Sequence, residues 1–157
     1  MASTISGNDN FDSGSPSITL LGTLSSPSGS SVTLSSVDLS GYKQLHIHCT
    51  NIQLNSTQWY GLNGSGEANA VCKFGTGAGV PGYGASAFCI VNLDTGWGFS
   101  SGSGNTVNNG TGWSANYDSY GGGKYYGVTT STTSLTMYAR SGYTFSSQGD
   151  FKFYGIR

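Results

Sequence analysis

Charge is what this sequence has least of. Only 8% of its 157 residues are Asp, Glu, Lys or Arg, where a soluble domain ordinarily carries about a quarter. The surface must therefore be built from Ser, Thr, Asn, Gly and Tyr. Six basic residues against seven acidic ones leave a net charge of -1, and no Lys/Arg run exists to displace phosphate counterions, so nucleic acid is not an expected partner. Long apolar runs are missing too. Nothing approaches the roughly 18 residues that a bilayer-spanning helix requires, and the start MASTISGNDN has neither the basic nor the apolar region of an export signal. No membrane partner is expected, and synthesis and assembly are expected in a reducing cytoplasm.

Cysteine is scarce and odd in number: Cys49, Cys72 and Cys89, widely spaced, without the C-x2-C pairing that zinc sites favour. Each lies in an apolar or alternating run, so all three are expected as free core thiols. Helical periodicity is also missing. No window of a dozen residues keeps apolar positions at i, i+3, i+4 and i+7, and Gly, Ser and Thr interrupt throughout.

What is present is alternation of period two. In Gln44 to Asn51, Leu45, Ile47 and Cys49 share one face while His46, His48 and Thr50 share the other, the pattern of a half-buried strand. Ile18 to Leu24, Val32 to Leu39, Gln58 to Leu62, Ala70 to Phe74, Ala87 to Leu93, Trp97 to Phe99, Gly112 to Tyr117, Lys124 to Val128, Ser134 to Arg140 and Gly149 to Ile156 complete the predicted strands. Glycine-rich stretches at 75–86, 100–112 and 118–124 read as loops, and Asn63-Gly64 and Asn109-Gly110 suit hairpin turns. Many short strands without helical crossovers predict an all-β fold, an antiparallel β-sandwich of jelly-roll type, over residues 17–157. Its core is expected from Leu45, Ile47, Cys49, Ile90, Leu93, Leu135, Met137, Phe151 and Phe153. Residues 1–16 carry only Ile5 and Phe11 as isolated apolar side chains and read as an N-terminal arm.

Motif matches are compositional. Gly77 to Gly82 fits G-x-G-x-x-G, but Pro81 and the GYGA that follows oppose the helix a dinucleotide site needs. Gly98 to Gly102 fits G-x-S-x-G, yet both histidines precede the serine, against the order of an α/β-hydrolase. His46 and His48 point the same way and could share a metal, but no third ligand stands nearby, so two polar residues on an outer or subunit-facing strand face are the better reading. Paired carboxylates for glycoside hydrolysis reduce to Asp94 with Asp118 or Glu67, and nothing marks a raised pKa. No cofactor, metal or enzymatic activity is expected. An aromatic grouping, Trp113, Tyr117, Tyr120, Tyr125 and Tyr126, suits sheet packing, a subunit interface or a glycan platform.

Two stretches resemble a known family. Val37-Asp-Leu-Ser-Gly-Tyr-Lys-Gln-Leu-His-Ile-His48 with Asn51-Ile52, and more specifically Gly142-Tyr-Thr-Phe-Ser-Ser-Gln-Gly-Asp-Phe-Lys-Phe-Tyr-Gly-Ile-Arg157, are similar to segments of small β-sandwich bacteriophage virion proteins found on capsids and tails. The resemblance, loosely covering Ile18 to Arg157, implies a non-enzymatic virion protein. A free-standing sandwich with an arm suits a capsid cement or decoration protein, a homotrimer on the capsid surface that binds the major capsid protein or other virion proteins, with Ile5, Phe11, His46 and His48 as capsid or subunit contacts. The alternative is a tail-fibre or tail-tip module that binds host glycan or receptor through the aromatic grouping.

Overall fold

The computed structural model describes residues 17–56, 59–62, 74–75, 85–107, 114–124 and 128–157, with side chains undescribed at 59, 74–75, 85, 102–107 and 114–124. Its strands are β1 (Ile18–Ser25), β2 (Ser28–Gly29), β3 (Ser31–Ser35), β4 (Gln44–Ile52), β5 (Trp59–Leu62), β6 (Phe74–Gly75), β7 (Ala85–Asn92), β8 (Trp97–Val107), β9 (Ser114–Lys124), β10 (Ser134–Ala139), β11 (Phe145–Ser146) and β12 (Asp150–Ile156). No helix occurs among the described residues. A six-stranded sheet runs β1-β12-β4-β7-β8-β9, a four-stranded sheet β3-β10-β5-β6, and β11 pairs with β2. All pairings are antiparallel.

The alternation in β4 and β12 is what closes the sandwich. Residues two apart on a strand share a face, so Leu45, Ile47 and Cys49 of β4 lie beside Phe151 and Phe153 of β12 and are buried. Opposite them, Tyr60, Leu62, Leu135 and Met137 of the smaller sheet are fully buried in the same cluster. Tyr60 meets Phe151 edge to face at 5.6 Å and Phe145 at 5.9 Å, and Phe145 meets Phe151 at 5.6 Å, arrangements aromatic rings prefer. The core therefore joins both sheets.

The structure corrects several expectations. Ile90 is not core: in β7 the inward positions are Ala87, Cys89 and Val91, so Ile90 and Phe88 turn outward. A strand apolar on both faces conceals its own parity. The stretch from 100 and the stretch 118–124 are not loops, because β8 and β9 run eleven residues each in unbroken register from Trp97↔Lys124 to Val107↔Ser114. Glycine disfavours isolated strands but is tolerated where a partner covers it, and Phe99 stands opposite Gly122. Val37 and Leu39 are buried but lie beyond β3, which ends at Ser35 before the left-handed Ser36 (φ 58°). The region 63–73, 76–84, 108–113 and 125–127 contains Asn63-Gly64, Glu67, the Gly77 to Gly82 match and Asn109-Gly110, all outside the described residues.

Cysteine needs a further correction. Cys89 is disulfide-bonded, while Cys49 is free and buried; Cys72 lies outside the described residues. The expectation of three thiols rested on compartment, on the odd count and on the apolar runs around each cysteine, and an odd count is satisfied equally well by one bridge and one thiol. Burial pushes the Cys49 thiol up to about 12, against a donated hydrogen bond from the wholly buried Tyr60 hydroxyl that lowers it. Such a thiol is inert toward reagents that attack through the thiolate. Unfolded in denaturant without reductant, the protein is expected to show one reactive thiol per chain, none on the same timescale when native at pH 8, and three after reduction. A free-thiol count of three without reductant would contradict the bridge.

Tyr42 locks the end of the central pair. Its ring is buried, a Cβ added at Gly155 would lie 2.5 Å from it, and the Arg157 guanidinium sits 5.1 Å above its centroid. Lys43 N–H donates to the Ile156 carbonyl at 2.7 Å. Gly155→Ala should therefore destabilise the fold by about 1–3 kcal/mol, the usual cost of overpacking. In a Tyr42→Leu background the same change should cost clearly less, as read from urea midpoints in a double-mutant cycle; an equal cost would mean that the ring does not set the requirement for glycine.

Candidate functional site

The side of the six-stranded sheet that faces away from the core is unlike an ordinary strand face. Following the registers across it, one row runs Leu20, Tyr154, His46, Ile90, Phe99. A second runs Thr23, Lys152, His48, Phe88, Ser101. Along a third margin lie Ile18, Ile156, Gln44 and Asn92, with Trp97 at the start of β8. The large hydrophobic residues left exposed among those described are Ile18 (70%), Leu20 (54%), Phe88 (39%), Trp97 (59%) and Phe99 (47%). All of them stand on this one face.

The other outer face gives the contrast. Along β3, Ser31, Thr33 and Ser35 are exposed and Val32 and Leu34 are half-buried; Thr33 and Thr136 share a hydroxyl hydrogen bond of 2.9 Å across the strand pair. Isolated exposed apolar residues are normal on any protein. Among the described side chains, five that stand together on one of the two outer faces form a candidate contact surface.

His46 and His48 lie at the centre of that face, as their alternation predicts. His46 Nε2 is 2.8 Å from Gln44 Oε1, and the His48 ring lies 5.1 Å from the Tyr154 ring. Phe88 and Phe99 meet edge to face at 5.5 Å with their planes 70° apart. Partial burial lowers the His46 pKa below 6.5, with a smaller contribution from the charge of His48. Among the described residues no group of three or more His, Cys, Asp or Glu side chains is placed to hold a metal ion.

Several predicted site residues fall elsewhere. Ser100 of the G-x-S-x-G match is fully buried inside β8, paired with Gly121, so it lies in a straight strand and not at a nucleophile elbow. Asp94 sits in the turn after β7 with Lys43 3.3 Å away on the open surface. Asp38 caps its turn, and hydrogen bonds donated by the Ser40 hydroxyl and by the Ser40 N–H, the latter at 2.9 Å, hold its carboxyl below its ordinary value. Tyr117 and Tyr120 stand on β9 opposite Gly104 and Ser101, with side chains undescribed. Ile5, Phe11, Trp113, Tyr125 and Tyr126 lie outside the described residues. What sequence reasoning missed is the apolar part of the face, because its members come from β1, β7 and β8 and only the pairing brings them together.

Comparison with family models, with curated proteins and with solved structures yields no match.

The lowered His46 pKa has a definite sign. Near pH 6 the native state binds fewer protons at this ring than the unfolded chain does, so its contribution to stability is complete above about pH 6.5 and is lost as the pH falls below that. An NMR titration of the imidazole signals should give His46 a midpoint below 6.5. In His48→Gln that midpoint should rise only part of the way, since burial is the larger cause. A full return to 6.5 would assign the shift to the neighbouring charge instead.

Proposed function

We propose that this chain is a non-enzymatic structural protein of a bacteriophage particle, a capsid cement protein that works as a homo-oligomer, expected as a trimer, and binds the major capsid protein of the assembled head. The observation that carries the reading is that the five large hydrophobic side chains left exposed among those described all stand on one sheet face, the kind of surface that contacts another macromolecule. The two segments that resemble virion proteins support it by packing as one unit, β4 beside β12 with Tyr42 against Gly155. A bridge at Cys89 accords with a protein that works outside the reducing cytoplasm, as virion proteins do. Cementing needs no chemistry: a protein that binds the assembled shell and not its free subunits favours the shell by mass action.

The arm, residues 1–16, is the proposed means of attachment, with Phe11 and Ile5 as its apolar anchors. One buried Phe contributes about 2 kcal/mol by the area rule, and copies joined in one oligomer act together through effective concentration. Deleting residues 1–12 is expected to leave the melting temperature and oligomer unchanged and to abolish co-sedimentation with heads stripped of this protein. Equal binding by truncated and full-length protein would move attachment onto the sandwich, and no binding by either would remove the cement role. The tail-module alternative rests on Trp113, Tyr117, Tyr120, Tyr125 and Tyr126, whose side chains are outside those described; specific binding on a glycan array that is lost in Trp113→Ala would favour it over the cement role.

A further inference from the structure

We infer that the outer face of the six-stranded sheet seats a second copy of this chain, and that acid releases it through His46 and His48. The inference deepens the structural-subunit reading and rests on it only in supposing that the partner is a protein surface.

Size is the first argument. Five neighbouring strands at about 4.8 Å spacing and six residue steps at about 3.4 Å give a face of about 20 by 24 Å, on the order of 500 Å² in projection and more as accessible surface. That approaches the roughly 800 Å² per partner of a standard interface. Charge is the second. On β12 the face carries Lys152 near its middle and Asp150 at one end, with Tyr154 the other titratable group; β7 and β8 up to Ser101 present Phe88, Ile90, Asn92, Trp97, Phe99 and Ser101, none of which is charged at neutral pH, and on β9 Lys124, Tyr120 and Asp118 stand opposite Trp97, Ser101 and Ser103. Lysines and aspartates balance across the sheet, so a copy of the same face meets it with no excess of one sign, which a partner dense in one sign could not match. Self-complementary patches of this kind give closed assemblies. Shape is the third: tilted Phe rings beside Ile90 make a relief that interlocks with side chains and does not offer a flat platform.

The histidines then act as a switch. They are central, adjacent, and on the same face as Lys152, which pairs with His48 in register. Neutral imidazoles can be covered by a partner; protonated ones add up to two cations per copy beside that lysine and bring like charges together across the contact. Burial already disfavours the charged form of His46 in the single chain, and further covering acts in the same direction. Each unit by which the contact lowers one histidine's pKa becomes a tenfold weaker association once the pH is below both values.

The test uses the purified full-length protein alone, so its outcome is independent of any phage head. Sedimentation velocity from 1 to 100 µM at pH 8 should show a closed oligomer, and at pH 5 a dissociation constant at least tenfold higher. Phe99→Ser with Leu20→Ser, both on exposed positions, should weaken association at least tenfold at pH 8 without altering the circular dichroism spectrum. His46→Gln with His48→Gln should keep the oligomer together at pH 5. A monomer throughout the range at pH 8, or an oligomer untouched by the Phe99 and Leu20 changes, overturns the assignment of the face. An oligomer equally stable at pH 8 and 5 overturns the switch.

Discussion

Everything in this fold hangs on the pairing of β4 with β12. These strands hold the middle of the larger sheet in seven consecutive register pairs from Asp150↔Thr50 to Ile156↔Gln44, and each alternates strictly between the two sides. Their inner residues, Ile47, Cys49, Phe151 and Phe153, are the floor on which Tyr60, Leu135 and Met137 close the sandwich. Their outer residues, His46, His48, Lys152 and Tyr154, are the centre of the sheet's outer face. One register thus fixes core and surface together. A slip of one residue would exchange the two sets, placing imidazoles and an ammonium in the core and phenylalanines in water, which is why this pair tolerates so little ambiguity. Tyr42 against Gly155 is the stop that holds the register at its end.

That same strictness decides what could be read in advance. β4, β10 and β12 alternate apolar and polar residues without interruption, and their bounds and buried faces were legible to within a residue or so. β7 was legible as a strand but not in its orientation, since Phe88, Cys89, Ile90 and Val91 offer apolar groups to both sides and only the neighbouring strand chooses between them. β8 and β9 were legible hardly at all beyond their ends. Ser, Gly and Asn carry no apolar pattern, and their extended pairing is imposed by the partner strand rather than by their own preference. The bridge at Cys89 was illegible for a related reason: cysteine spacing does not record which sulfur atoms the folded chain brings together.

The candidate face shows the same limit. His46 and His48 could be placed outside from their own strand alone. Ile18 and Leu20 on β1, Phe88 on β7 and Trp97 and Phe99 on β8 are spread over about eighty residues, and in sequence each resembles an ordinary core residue. They become one surface only when β1 is laid beside β12 and β8 beside β7. Strand order, which is a tertiary property, is the missing information.

Low charge and an apolar face belong to one solution. A protein with few ionised groups and a net charge near zero has little electrostatic repulsion to keep copies apart, so any exposed apolar surface would drive indiscriminate aggregation if it were spread over the molecule. Among the described side chains that surface lies on one face, with hydroxyls along β3 and β10 on the other, an arrangement that would make association directional. The sheet edges work against stray pairing in different ways. β1 is interrupted by an irregularity between Leu20 and Gly22, which breaks the regular row of free peptide groups that a foreign strand would need. What is left as the easiest route to burying the described apolar area is the one broad face, and because two histidines stand at its centre, any association through it would respond to the proton concentration as well as the protein concentration.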